Sequence, residues 1–369
     1  KLKGSTTDER NLYGLIEIAK LLLKHDSVYT NDVIDYLLSI IKWDYTTTYT
    51  VEIEQENSDN LNLLNRGLNT IQGRAIRALV EACGLEGKTE MVSSKLMGIS
   101  PILAIEHKLI IIYYLSHEGF FDEKYFEQLL FAYLNEANES EYAIANINLL
   151  NYYLYNKPEM VMTYITRITT FPRAQNALAQ LLYLGTVYGI DECKQLLDEK
   201  LEKCDGEFLS GCLKIAFKNF SDPRCNALSF NIIDRLSNML DDSVQEEFRW
   251  SFHQLTSDDF CQIMQILIRI IPKIGKNKTH SILSYLEKCI PEYPVESYNC
   301  LDKLIRENTL EKTSYDIKEE LELLFAIYKY LKNTDKDISE RIMDTFDHLL
   351  KTSQSHYGLE GLIKEIDKN

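Results

Sequence analysis

Residues whose type and spacing could do chemistry are few in this chain. The segment "GLEGKTE", residues 84 to 90, invites comparison with a phosphate-cradling loop. The pattern G-x-x-x-x-G-K-[ST] would place its first glycine at position 82, which is Ala82, and such a loop follows a strand whereas this segment follows a helical pattern. Nucleotide binding is therefore not expected there. His107 and His117 stand ten apart, with Glu106, Glu118 and Asp122 close in sequence, but no H-E-x-x-H pair sets two ligands on one helix face. The eight cysteines are Cys83, Cys193, Cys204, Cys212, Cys225, Cys261, Cys289 and Cys300. None forms C-x-x-C, and most sit beside apolar helix positions, so they read as small buried hydrophobes in a reducing compartment. Fifty-six acidic residues generate carboxylate pairs by chance, and no pair comes with a distinguishing context. No catalytic, cofactor-binding or metal-ligating residue is assigned.

Binding is the better-supported chemistry. Arg74 and Arg77 leave one side of a patterned helix in "LNTIQGRAIRALVEACG", residues 68 to 84, and Glu81 lies four residues beyond Arg77, the spacing of an exposed ion pair. Tyrosine and phenylalanine number 23 and 14 and cluster in "KWDYTTTY", "IIYYL", "GFFDEKYF" and "NYYLYN". Tyrosine buries a ring while exposing a hydroxyl, which suits a recognition surface, and it also serves as large filler in a tandem array; both readings stand. Arg74, Arg77, Trp43, Tyr45 and Tyr49 are the candidate partner contacts.

The elements that must position these residues are helical almost throughout. Apolar residues recur at three and four spacing in about fifteen segments, from "NLYGLIEIAKLLLKH" to "DISERIMDTFDHLLKT", and only 7 prolines and 15 glycines interrupt them. The longest irregular stretch runs from about Asp44 to Asn60. Residues 1–60 are read as an N-terminal helix pair plus a polar loop, and residues 61–369 as one continuous array. Three segments resemble one another: "QGRAIRAL", "FPRAQNAL" and "DPRCNALSF" each set Gly or Pro before Arg and an Ala-Leu step shortly after. Pro172 and Pro223 fit a first helical turn, where the amide that proline lacks has no partner anyway. The unequal period, 50 residues between the last two Ala-Leu steps, is nearer to HEAT-like units than to the tetratricopeptide repeat of about 34. The expected fold is all-α, an irregular HEAT- or armadillo-like α-solenoid of antiparallel helix pairs.

In "LNTIQGRAIRALVEACG", Thr70 stands where a helix starts, and Ile71, Ala75, Ala78 and Ala82 share a small apolar face widened by Leu79. Gly73 is expected to provide clearance for a neighbour, since glycine inside a helix costs about 1 kcal/mol relative to alanine. Gly84 is placed to cap the helix end. This stretch and the following "SPILAIEHKLIIIYYLSHEG" resemble the paired signature of HEAT-like regions in large bacterial anti-phage NTPases of the STAND type. Asn69, Gly73, Ala75 and Ala78 match one helix of that signature, and Ser100, Pro101 and Ala104 match the opening of another. Gln72 stands where the family has a basic residue and Glu106 where it has arginine. The likeness covers about residues 61 to 135.

That resemblance implies a sensor region that binds a protein partner, expected to be phage-encoded, and controls an NTPase and effector upstream in the same polypeptide. The start at "KLKGSTTDER", without an initiator Met, suggests a piece of something longer. A net charge of −16 argues against nucleic acid as the main partner and suggests a partner of basic or mixed character. The longest uninterrupted apolar run, "LIIIYYL", is far short of a membrane span, and a cytoplasmic location is expected. Two rivals remain: an assembly scaffold contacting its parent chain or copies of itself, and a helical hydrolase with an unrecognised site. Converging carboxylates or histidines would favour the hydrolase, a Tyr-rich groove the binder, and a large apolar end face the scaffold.

Overall fold

The computed structural model describes residues 9–25, 28–42, 60–117, 128, 147–203, 206–239, 242–274, 280–307, 314–333 and 336–352. Every regular element among them is helical, with no strand. The chain divides into two compact units, residues 1–181 and 182–369.

The first unit contains α1 (Glu9–Lys24), α2 (Thr30–Ile41), α3 (Asn60–Leu68), α4 (Ile71–Cys83), α5 (Thr89–Ile99), α6 (Ile105–His117), α7 (Ile147–Asn156) and α8 (Pro158–Ile168), and the division falls within α9 (Gln175–Val187). Its hub is α4, which packs against α1, α2, α3, α5 and α6. Being surrounded, α4 buries ten of its thirteen residues, well beyond the single apolar face that its sequence pattern indicates. Ala75, Ala78 and Ala82 are all at most 2% exposed, which lets neighbouring helices come close. Only a narrow strip through Arg74, Arg77 and Glu81 reaches the surface.

Two helices here have no counterpart in the sequence reading. Helix α3 follows the irregular stretch and shares only Asn60 with it, and α5 fills the segment between the helix of "LNTIQGRAIRALVEACG" and "SPILAIEHKLIIIYYLSHEG". Val92, Leu96 and Ile99 of α5 do follow four-three spacing and are buried, but Ser, Gly and Lys between them weaken the pattern. Ser100–Ile102 forms a separate 3-10 turn and α6 starts at Ile105, so Ser-Pro precedes the α-helix rather than opening it. Pro172 lies likewise in a 3-10 turn before α9, and Pro223 in a turn before α12 (Asn226–Leu236), not in the first α-turn.

The second unit continues through α10 (Asp191–Glu202), α11 (Gly206–Lys218), α12, α13 (Asp242–Ser251), α14 (Phe260–Ile270), α15 (His280–Cys289), α16 (Pro294–Glu307), α17 (Ser314–Leu331) and α18 (Lys336–Thr352). Odd-numbered helices form one file, α11 against α13, α13 against α15 and α15 against α17, while α12, α14, α16 and α18 form the other. Sequence neighbours such as α11 and α12 or α17 and α18 link the files. This is the solenoid-like stacking of helix pairs, in which each pair buries its stripe against the next.

Aromatic rings run through that stack. Phe217 of α11 meets Phe248 and Phe252 edge to face at 5.8 and 5.1 Å between centroids, Phe252 meets Tyr285 at 6.0 Å, and Phe260 meets both Tyr285 and Tyr293. Such pairs contribute about 0.5–1.5 kcal/mol each beyond area burial. Buried polar links join helices that are not adjacent in sequence, α9 to α12 and α16 to α18. The Tyr183 hydroxyl lies 2.6 Å from Ser229 Oγ, and Tyr298 OH lies 3.0 Å from Thr345 Oγ1. The single proton of Thr345 is directed at the acceptors Asp302 Oδ1 at 2.6 Å and Arg341 O at 3.0 Å, so the tyrosine is the donor in its own bond. Helix ends are held by cations from the next pair: Lys273 Nζ donates to Ser237 O at 2.8 Å, and Lys288 Nζ to His253 O at 3.0 Å. These satisfy carbonyls that a helix terminus leaves without partners.

Candidate functional site

Of the residues singled out by the sequence, those at the start and along the exposed side of α4 lie on the seam where α4 meets α1, α3 and α6. Thr70 is the N-cap of α4, with extended backbone at φ −89 and ψ 156. Its Oγ1 accepts the Gly73 amide at 2.9 Å and donates to Gly67 O at 2.7 Å. His107 Nε2 lies 3.1 Å from the same oxygen. Because the single hydroxyl proton is committed to Gly67, the imidazole is the donor there and carries its proton on Nε2. Burial holds the His107 pKa below its ordinary value, with Glu106 opposing weakly, and the ring is neutral in this arrangement.

This knot exists because two glycines allow it. A Cβ on Gly73 would lie 1.9 Å from Gly67 O and 2.8 Å from Ile110 Cδ1, and one on Gly67 would lie 2.6 Å from Glu106 O. The clearance expected of Gly73 is thus directed at the end of α3, and Gly67 performs the same service toward α6. Gly84 caps α4 in right-handed conformation, φ −78, so its position does not require glycine; the left-handed residue of this turn is Gly87, at φ 72. Next to it, Lys88 is buried and donates to Leu23 O at the end of α1. The lysine of the loop-like "GLEGKTE" therefore serves a helix terminus.

On the open side, the Arg74 guanidinium sits 4.4 Å over the Tyr13 ring and that of Arg77 sits 4.8 Å over Tyr114. Arg77 Nε also donates to Glu81 Oε1 at 2.8 Å, the i to i+4 pair read from the sequence, and Glu81 pairs through its other oxygen with Lys20 of α1. Tyr13 beside Arg74 and Lys20 beside Glu81 show that α1 and α4 run in the same direction here, since seven residues advance each helix by roughly 10 Å. Tyr13 OH donates to Asn69 O at 3.2 Å and ties α1 to the start of α4. Between these contacts lies a recess of about 210 Å³ lined by Ile16, Glu17, Lys20, Leu68, Asn69, Arg74, Arg77 and Ala78.

Of the remaining signature positions, Ser100 is buried while Pro101 and Ala104 are exposed; Ala104 O receives the first amides of α6, from His107 and Lys108, each at 3.1 Å. Trp43, Tyr45 and Tyr49 lie outside the described residues. Tyrosine takes both of the roles left open by the sequence: Tyr153, Tyr183, Tyr285 and Tyr298 are buried, whereas Tyr29, Tyr155, Tyr188 and Tyr330 are exposed.

A second, more open hollow of about 520 Å³ gathers Ser210, Asp242, Ser243, Glu246, Glu247 and Arg249. Glu246 is engaged by Arg249 and by Trp250 Nε1 at 2.8 Å, and Glu247 accepts Ser251 Oγ at 2.5 Å and Ser210 Oγ at 3.5 Å. Both carboxylates are used as acceptors by neighbouring side chains, and no histidine lines the hollow. Six cysteines behave as packing residues, whereas Cys261 is exposed and Cys204 lies outside the described residues: burial pushes the thiols of Cys193 up to about 11 and of Cys83, Cys289 and Cys300 up to about 12, with Cys212 and Cys225 also raised. Thiols that titrate so high are poor nucleophiles at neutral pH. Among the described residues no group of three or more His, Cys, Asp or Glu side chains could hold a metal ion, and no helix is long and apolar enough to cross a membrane.

Comparison with known proteins finds no family, no curated protein and no solved structure that matches this chain.

Proposed function

We propose that the chain is a protein-recognition region built as an irregular HEAT-like solenoid. The observation that supports this most is the two-file stacking of α11 to α18, which lines up consecutive helices of each file side by side. Such stacking presents an extended surface to a partner and does not by itself enclose a reaction. In the first unit, α4 keeps only its Arg74, Arg77 and Glu81 strip at the surface, where contacts with a partner are available. The likeness of Asn69, Gly73, Ala75, Ala78, Ser100, Pro101 and Ala104 to the STAND-type signature supports a more specific assignment. On it, the chain is the sensor of a bacterial defence protein, its partner is phage-encoded, and binding controls an NTPase and effector elsewhere in the same polypeptide.

Capture on the immobilised chain from phage-infected and uninfected bacterial lysates, followed by purification of the recovered protein and rebinding in isolation, tests this. One phage protein that is recovered only after infection and rebinds stoichiometrically is the expected result. A host protein recovered equally from both lysates, or self-association alone, would replace the sensor reading with an assembly scaffold.

A further inference from the structure

We propose that the recess between α1 and α4 receives a carboxylate side chain from an acidic segment of the protein partner, gripped by Arg74. The inference rests on the protein-recognition reading and adds the chemistry of the partner.

Arg74 is the cation at the open side of this recess. Its guanidinium is held over Tyr13, at 4.4 Å from the centroid, and Tyr13 is itself anchored to Asn69 O at 3.2 Å. Stacking fixes the plane of the guanidinium and leaves its edge, where the N–H groups point, for a planar oxygen pair. Less side-chain freedom is then lost when an anion arrives. Lys20 and Arg77 line the same recess and are both held by Glu81. They add positive potential from fixed positions. Against these three cations stand Glu17 and Glu81, so the recess is net positive in a chain of net charge −16. On an acidic surface such an inversion marks the place where a negative group is attracted, and the surrounding charge disfavours acidic segments in any other register.

Size and floor narrow the occupant. About 210 Å³ is below the roughly 300–1,000 Å³ of small-molecule pockets and is on the scale of one side chain. Half-buried Leu68 offers apolar surface for the methylenes of a glutamate, over a floor closed by the buried Ile16 and Ala78, while Arg74 meets its carboxylate. Glu17, exposed on the same lining, sets a limit of one negative group by repelling a second. The acidic composition suggested a basic or mixed partner; this recess assigns that partner an acidic element.

The test measures fluorescence anisotropy of a labelled hexaglutamate peptide, capped at both ends, against the full chain at low ionic strength. Variants are Arg74→Gln, Glu17→Gln and two remote exposed neutralisations, Lys332→Gln and Glu287→Gln. Saturable binding is expected, weakened about five- to tenfold by Arg74→Gln and strengthened about twofold by Glu17→Gln, with the remote variants unchanged. Opposite signs from two exposed positions are not produced by misfolding. Absence of saturable binding, or an Arg74→Gln effect no larger than that of Lys332→Gln, overturns the proposal. Inorganic phosphate at matched ionic strength is expected to displace the peptide no better than chloride; phosphate binding in the absence of peptide binding overturns it as well. The assay needs no identified partner, so its failure removes the recess and leaves the recognition reading intact, while failed capture from lysates removes that reading and leaves the peptide result standing.

Discussion

Replacing Gly73 by alanine isolates the packing that holds the first unit together. In an ordinary exposed helix interior the change would stabilise by about 1 kcal/mol, because alanine loses less backbone freedom on folding. At position 73 the new Cβ would meet Gly67 O at 1.9 Å and Gly67 C at 2.8 Å, whereas real Cβ contacts essentially never fall under 3.0 Å. The end of α3 must therefore retreat by at least about 1 Å, and the obstacle is backbone that cannot rotate away. That retreat also stretches the Thr70 bonds to Gly73 N and Gly67 O, now 2.9 and 2.7 Å. Overpacking of a core typically costs about 1–3 kcal/mol, and a weakened N-cap about another 1 kcal/mol. Less the propensity gain of about 1 kcal/mol, the net destabilisation is about 1–3 kcal/mol. Urea unfolding followed by far-UV circular dichroism would show this as a lower midpoint at unchanged slope. Gly14→Ala in α1 and Gly98→Ala in α5 are the same chemical change at sites where the added Cβ meets nothing within 4 Å, and both should stabilise by about 0.5–1 kcal/mol. A Gly73→Ala variant as stable as the parent would refute the close approach of α3 and α4.

Three further outcomes follow from the same geometry. Thr345→Val keeps the shape but leaves Tyr298 OH without its acceptor and Asp302 with Arg306 Nε as its donor in place of two, and should cost about 1–3 kcal/mol in chemical denaturation; a cost indistinguishable from zero would argue against that network. Tyr183→Phe should cost about 1–2 kcal/mol by stranding the buried Ser229 hydroxyl, and adding Ser229→Ala should restore part of the loss, a coupling that a double-mutant cycle reads directly. Since His107 titrates below its unfolded value, its contribution is fully present above about pH 6.5, and is lost as pH falls through the folded pKa while the unfolded chain takes up the proton first. His107→Gln should flatten the stability profile on that acid side, and an unchanged slope would show that the imidazole is not held neutral.

Helix identity was legible wherever an amphipathic period ran long enough, as in α10, α16 and α18. The start of α4 near Thr70 and the Arg77–Glu81 pair were legible too, because each depends on residues within four positions of one another, and glycine at 73, costly inside a helix, announced a close neighbour without identifying it. What lay beyond the sequence was non-local. Gly73 needs its clearance from Gly67, which belongs to a helix that the pattern "NLNLLNRGL" hardly announces among its asparagines. Arg74 and Arg77 read as outward residues, with only Glu81 in reach of Arg77, and the rings they lie over, Tyr13 and Tyr114, are 61 and 37 residues away. A helix at a hub is buried on most sides, and alanine, glycine and cysteine at adjacent positions were the available signal that α4 is such a helix. In both Pro-Arg segments proline set a turn ahead of the α-helix and not its first turn.

Amide hydrogen exchange on the full chain, free and bound to the captured partner, tests the central claim most directly. Recognition by a stacked array predicts slowed exchange along consecutive helices of one file, α11, α13, α15 and α17 or α12, α14, α16 and α18, or along the α1 and α4 strip. Protection confined to a terminal helix pair, or an exchange pattern that the partner leaves unchanged, would contradict it.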